Sequence, residues 1–281
     1  MAGEHPAREF EIKLEIPAQT ISKVMRLPWL WELASGELRA SRLQSIYYDT
    51  PNFALRERGV TLRVRRSGAI CVQTVKTAVN GAALPIERDE WEEELAGEEP
   101  DLGLVGAPLN GISRKKLRRR LKPCFEIHVD RSAFPIQSAN SAIEIAIDRA
   151  HIVGETSASF CEIELELKRG ASSEMARIAR RIAGEVPAAL SLKTKAERGF
   201  ALRQGQPAQP YAAEPVTLSL NVRVGEAFQI IGWSCLRHFA LNKDAIEAGS
   251  AEAVHQMREG LQRLAAAIAI FDRHAHAPRA G

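Results

Sequence analysis

The chain has 281 residues, 45% of them hydrophobic, with 38 Lys and Arg against 35 Asp and Glu and a formal net charge of +3. These figures fit one large domain, or one domain with part of another, around a real core, and so balanced a charge argues against a dedicated nucleic-acid binder. The sequence has no apolar run of 18 or more residues and no secretory signal at its start, and its four cysteines (Cys71, Cys124, Cys161, Cys235) stand at neither metal-ligand nor redox spacing, so it reads as a cytoplasmic protein with buried, reduced thiols.

The first element is Arg8–Ile16, R-E-F-E-I-K-L-E-I. Glu9, Glu11, Lys13 and Glu15 alternate with Phe10, Ile12, Leu14 and Ile16, which predicts a strand with one charged face and one apolar face. Pro17–Ala34 has near-helical apolar spacing, opened by Pro17 and interrupted by Pro28. Strands follow over Arg42–Thr50, Val60–Arg66, Ile70–Thr77 and Ile86–Leu95, with a turn at Asn80-Gly81. Gly97–Gly111 is turn-rich. Ser113–Leu121, S-R-K-K-L-R-R-R-L, predicts a short basic helix whose charge reads as a solvated face.

Three more strands are predicted. Phe125–Phe134 contains Arg131; Ala142–Asp148 sets Glu144, Ala146 and Asp148 opposite Ile143, Ile145 and Ile147; Ser159–Lys168 sets Glu162, Glu164 and Glu166 opposite Cys161, Ile163, Leu165 and Leu167. Ser173–Val186 is an amphipathic helix ended by Pro187. Leu190–Leu202 carries K-T-K-A-E-R-G-F, and Gln204–Pro215 has linker composition. Beyond it the period changes to that of helices, over Gly225–Ala248 and over Ser250–Asp272, the latter with Ser250 as N-cap and Val254, Met257, Leu261, Leu264, Ile268 and Phe271 on one stripe. Two helices cannot enclose a core alone. The expected division is a domain over residues 6–203, a linker over 204–222 and a helical segment over 223–281.

Eight strands with few crossover helices suggest an α+β protein whose antiparallel sheet closes on itself. Closure lets the apolar faces lie outward under helices and the charged faces line a wide interior. Carboxylates as close as Glu162, Glu164 and Glu166 need cations, and hard divalent ions such as Mg²⁺ or Mn²⁺ take carboxylate oxygens. Arg63, Arg65, Lys76, Arg88, Arg131, Lys193, Lys195 and Arg198 supply the opposite charge. Acids and bases in one enclosure suit a polyanion bridged by metals, and triphosphate is the natural small candidate.

Glu9-x-Glu11-x-Lys13 resembles the E-x-E-x-K signature of the CYTH domain, the triphosphate tunnel metalloenzymes. The resemblance runs on through Tyr48-Asp49-Thr50, Leu62–Arg65, Lys76, Arg88 with Glu90, Ile143–Asp148, Cys161–Leu167 and Lys195–Phe200. It implies an eight-stranded antiparallel barrel, the triphosphate tunnel, with flanking helices. By that resemblance Glu9, Glu11, Glu162, Glu164 and Glu166 hold one or two Mg²⁺ or Mn²⁺ ions. Lys13, Arg63, Arg65, Lys76, Arg88, Arg131, Lys195 and Arg198 grip the triphosphate. Glu164, Glu166 and Lys13 are the catalytic set, and a metal-bound or glutamate-positioned water attacks the terminal phosphorus. Glu15 shares the charged face but falls outside the motif, at a solvated rim, and Lys193 stands beside the motif.

Val254-His255-Gln256-Met257-Arg258 with Leu261-Gln262-Arg263-Leu264 resembles the opening of a CHAD domain, a helical family associated with polyphosphate; Gln262 and Ala265 stand where arginines are expected, and Gly260 interrupts the helix. The expected function is hydrolysis of inorganic triphosphate to diphosphate and phosphate. The alternatives are a thiamine or nucleoside triphosphatase, an adenylyl cyclase, or a non-catalytic polyphosphate-binding module, and metal dependence separates the enzymes from the module.

Overall fold

The computed structural model describes residues 7–77, 86–103, 109, 113–205 and 208–275. The expected Asn80-Gly81 turn and part of Gly97–Gly111 lie outside the described residues. Within them, residues up to 205 form one compact unit and residues from 208 a second.

The first unit runs β1 (Ala7–Ile16), α1 (Ile21–Val24), α2 (Pro28–Glu32), β2 (Arg39–Asp49), β3 (Val60–Ser67), β4 (Ile70–Thr77), β5 (Ile86–Leu95), α3 (Arg114–Arg120), β6 (Lys122–Ser138), β7 (Ser141–Val153), β8 (Ala158–Arg169), α4 (Ser172–Glu185), β9 (Ala189–Ser191) and α5 (Lys195–Gln204). All eight expected strands are present, in one antiparallel sheet of order β5-β4-β3-β2-β6-β7-β8-β1-β9. Among the described residues the sheet has nine strands rather than eight, because Lys13–Glu15 of β1 also pairs with the short β9. A regular closed barrel is corrected as well. The sheet returns on itself only through the N-terminal half of β1, which pairs with β5 from Ala7↔Glu90 to Glu11↔Ile86.

The strands turn their apolar faces outward, as the alternation requires. Leu14, Ile16, Ile145, Ile147, Ile163 and Leu165 pack under Met175, Ile178 and Ile182 of α4 and under Val24, Trp29 and Leu30 of α1 and α2. A second outer cluster joins Leu62 and Val75 to Leu117, the buried residue of α3. The inner faces change character along the strands. Arg131 on β6 gives way to Val129, Ile127 and Phe125, and Asp148 on β7 to Ala150 and Ile152; these apolar residues meet Tyr47 and Phe200 and fill the interior there. The interior is therefore charged over only part of its length.

Helix α5 carries the K-A-E-R-G-F segment, for which the sequence predicted no element. Thr194 and Glu197 close a capping box at its start: Glu197 N donates to Thr194 Oγ1 at 3.1 Å and Thr194 N donates to Glu197 Oε2 at 2.7 Å. A Cβ at Gly199 would overlap the Phe125 ring, so only glycine lets the helix lie this close to β6. Asp49, of the Y-D-T motif, is buried and structural. It accepts from the backbone N–H of Thr50, Leu55 and Arg56 at 2.6, 2.9 and 3.0 Å and so holds the turn after β2.

The second unit contains α6 (Val224–Ala240), α7 (Lys243–Glu247) and α8 (Ala251–Ala275). The single helix expected over Gly225–Ala248 is divided, because the Asn242 side chain bonds His238 O, Tyr211 O and Tyr211 N at 2.7, 2.9 and 2.9 Å. Ser250 caps α8, accepting from Ala253 N at 3.3 Å. Gly260 does not interrupt α8. A Cβ there would lie 3.0 Å from Phe239 N and 3.2 Å from Cys235 O, so the glycine permits α8 to approach the backbone of α6. No helix among the described residues is long and apolar enough to cross a membrane.

Candidate functional site

The inner faces enclose a cavity of about 340 Å³, lined mostly by charged and polar side chains. Strand register assembles it. Across β1 and β8, Glu11 stands opposite Glu166, Lys13 opposite Glu164 and Glu15 opposite Glu162. Across β7 and β8, Glu144 meets Glu166, Ala146 meets Glu164 and Asp148 meets Glu162. Arg131 faces Asp148 across β6 and β7, and Lys76 faces Glu90 across β4 and β5. Each strand contributes alternate residues, so acids and bases spaced by two in sequence become laterally adjacent in space.

Glu164 is the centre. Its Oε1 lies 2.9 Å from Lys13 Nζ and accepts from Lys195 Nζ at 2.8 Å, and its Oε2 accepts from Arg131 Nη2. Burial works against its charge, but Lys13, Lys195 and Arg131 outweigh burial and hold the carboxyl well below the usual carboxylate range. Lys13 is raised for the reciprocal reason: burial opposes its charge, and Glu11, Glu164 and Glu162 overcome it. Asp148 is fully buried. Arg131 grips it with two bonds, Nε to Oδ1 at 2.8 Å and Nη2 to Oδ2 at 2.6 Å, and Lys195 Nζ lies 2.8 Å from Oδ2.

The opposite wall is basic. Arg63 lies 3.7 Å from both Glu90 and Glu92, and Lys76 lies 3.1 Å from Glu90. Arg65 differs. It has no ion-pair partner among the described residues, its buried Nε has no hydrogen-bond partner, and burial together with neighbouring Arg63 and Arg131 lowers its pKa to about 10. A half-buried guanidinium with no ion pair of its own, eased only by the charges of Glu92 and Tyr47, leaves positive charge for an anion to pair with.

The cavity thus gathers Glu11, Lys13, Arg63, Arg65, Lys76, Arg131, Glu164, Glu166 and Lys195 from the expected set. Glu162 is fully buried behind the lining, bonded through Oε1 to Lys195. Arg198 is not brought in. Its guanidinium lies over the Phe160 ring and donates to Glu15 Oε2 at 2.5 Å and Ser191 Oγ at 3.1 Å, outside the cavity. Glu15, expected at a solvated rim, is instead the partner of Arg198, and Lys193 is not among the lining residues. The Glu9 and Arg88 side chains lie outside the described set, although their backbones face each other across β1 and β5. His255 and Arg258 of α8 are both exposed.

Asp148, Glu90, Glu92 and Glu144 belong to the network but were not singled out as site residues. Alternation already placed each on a charged face, and only the register shows what stands beside it.

The donors fit a hard divalent cation. Ligand atoms of Asp148, Glu162 and Glu164 lie within 4.8 Å of one another. Glu162 Oε2 is buried without a hydrogen-bond partner, and the cavity lining includes neither His nor Cys. All-oxygen sets of this kind suit a hard divalent cation over softer metals.

An inorganic triphosphatase from Haemophilus influenzae is 28% identical over 203 residues, which is 71% of this chain; the chain spans 56% of that protein's length. Two solved structures resemble it in part. One is a candidate adenylate cyclase from Bacillus halodurans, with TM-score 0.46 and 19% identity over 69% of this chain and 98% of that one. The other is a Hippeastrum protein described as a candidate adenylyl cyclase with a dominant triphosphatase activity, with TM-score 0.45 and 17% identity over 70% and 96%. The CHAD domain profile matches residues 231–281. The CYTH domain profile matches residues 7–200, the whole stretch that builds the charged cavity, and the chain belongs to the CYTH domain family.

Proposed function

We propose that the chain hydrolyses inorganic triphosphate to diphosphate and phosphate, in the cytoplasm, with Mg²⁺ or Mn²⁺ as cofactor. The observation that carries this reading is the pairing of an under-neutralised basic wall, Arg65 above all, with a carboxylate wall in one small cavity. Similarity to the Haemophilus inorganic triphosphatase supports it, and four buried free cysteines suit a reducing compartment.

Arg63, Arg65 and Lys76 bind one end of the phosphate chain, and Lys13, Arg131 and Lys195 bind the end nearer the acids. Phosphoryl transfer needs positioning and charge stabilisation more than covalent help, and all of these cations but Arg65 are already paired with Glu90, Glu164 or Asp148 before substrate arrives. Glu11, Glu164 and Glu166, with Glu162 and Asp148 behind them and Glu9 on the same strand face, would hold the metal. When bound, it neutralises phosphate oxygens and the charge that develops on the leaving diphosphate. Glu164 is held ionised, so it can accept a hydrogen bond from a water and orient it without first losing a proton.

Phosphate release from inorganic triphosphate, thiamine triphosphate and ATP, each with Mg²⁺, Mn²⁺ or EDTA, tests the reading. Rapid, metal-dependent release from inorganic triphosphate is expected. Cyclic AMP from ATP, or binding without turnover, overturns it.

A further inference from the structure

Lys195 is the first residue of α5, and its ammonium stands among three carboxylates. Nζ lies 2.8 Å from Asp148 Oδ2, donates to Glu164 Oε1 at 2.8 Å and donates to Glu162 Oε1. These are the three residues whose ligand atoms lie within 4.8 Å of one another. An ammonium has three N–H donors, and Lys195 has a carboxylate oxygen for each. The two neighbouring cations do not duplicate this position. Of the three carboxylates Lys13 pairs only with Glu164, and Arg131 pairs with Asp148 and Glu164.

The head group can move without the helix. The capping box at Thr194 and Glu197 fixes the backbone, while Lys195 itself lines the cavity. Its flexible four-carbon stem can therefore carry the ammonium from the carboxylates to an anion in the cavity. Glu162 Oε2, buried and without a hydrogen-bond partner, keeps acceptor capacity that the ammonium does not use. A divalent ion such as Mg²⁺ takes oxygens at about 2.0–2.1 Å. Among these three carboxylates it would stand beside the ammonium, in a buried site where repulsion between cations is poorly screened.

On the reading that these carboxylates hold a divalent metal, we propose that Lys195 and the metal compete for Asp148, Glu162 and Glu164, and that triphosphate favours the metal by giving the ammonium other oxygens. Lys195 is then a resident cation that neutralises the buried carboxylates until substrate arrives. Metal alone loads poorly, metal and triphosphate load together, and each tightens the other by the same factor.

Titration of the full chain with Mn²⁺ in the absence of triphosphate, read by the electron paramagnetic resonance of the free ion, tests the competition. Lys195→Met should bind Mn²⁺ about tenfold or more tighter than the parent, or bind one ion more. Glu162→Gln gives a second reading that does not depend on the folding of a Lys195 variant: the ammonium keeps metal from Glu162, so Glu162→Gln should bind Mn²⁺ as the parent does. Mn²⁺ with an imido-bridged, non-hydrolysable triphosphate should raise the parent's melting temperature by more than the sum of the two separate rises. Equal Mn²⁺ binding by Lys195→Met and the parent overturns the proposal. Tenfold weaker Mn²⁺ binding by Glu162→Gln, or merely additive rises in the parent, overturns it equally. None of these readings requires turnover, so competition in a chain that does not hydrolyse triphosphate supports this proposal and removes only the hydrolytic reading.

Discussion

At the scale of single residues, the site is an arrangement of charges held in place before any ligand binds. Glu164 accepts from three cations, so Glu164→Gln should lower turnover about 100-fold or more, the range seen when one preorganised electrostatic group is removed. Circular dichroism should show the fold retained; near-normal turnover would place the chemistry elsewhere. Arg65 makes the opposite case. It is half-buried, has no ion-pair partner among the described residues and is repelled by Arg63 and Arg131, so Arg65→Met should raise the melting temperature slightly while lowering kcat/KM. Removing a half-buried charge that Arg63 and Arg131 repel is expected to stabilise by about 0.5–1 kcal/mol. A variant that loses both stability and activity would show that the guanidinium is structural. That Glu11, Lys13, Glu164 and Glu166 share the inner face was legible from the sequence, because alternation alone assigns a face. Asp148 was not singled out, because its meaning lies in Arg131 and Lys195, which come from β6 and α5.

At the scale of elements, helix positions depend on a few close approaches. Gly199 lets α5 lie against Phe125. Gly199→Ala should cost about 1–3 kcal/mol by overpacking, read as a lower urea midpoint, and should loosen Lys195 in the cavity, read as a higher KM for triphosphate. Helix α4 is anchored through Glu174, which accepts from Arg177 at 2.6 Å and from Ser138 at the end of β6. Those hydrogen bonds, with the Arg177 charge, hold its carboxyl at about 2. Its contribution is present above the unfolded carboxylate value of about 4.3 and is lost as pH falls through 2. Unfolding midpoints across that window should drop more steeply for the parent than for Glu174→Gln; parallel curves would discard this anchor. The sequence predicted α4 and α8 because their apolar stripes are long. It missed α5 because the inward side of that short helix mixes Lys195 with Ala196, Gly199 and Phe200 and shows no long apolar stripe, and it overran α6 because the stop is a side-chain bond from Asn242 to Tyr211, a residue distant in sequence.

At the scale of the whole molecule, the sheet encloses charges that would repel or go unpaired without one another, so ligands of the cavity should report on its stability. Triphosphate with Mg²⁺ at about 100 times its Kd should stabilise the fold by about 2.7 kcal/mol. Scanning calorimetry should show the rise only with both present, with EDTA abolishing most of it. A rise with triphosphate alone would mean that the bases bind without metal.

The sequence by itself determined which residues alternate, and hence an apolar outside, a charged inside and the residue types that bind phosphate and divalent metal. Period-two alternation is a local property, fixed by backbone geometry at each strand. Tertiary structure alone decided the register that sets Lys13 beside Glu164 and Asp148 beside Glu162. It also decided the partial closure through β1 and β5, the aromatic plug that shortens the cavity, and the exile of Arg198 to Glu15. Those features depend on pairing between segments far apart in the chain. A shift of one residue would send every side chain of a strand to its other face, so only packing of the whole sheet selects among registers.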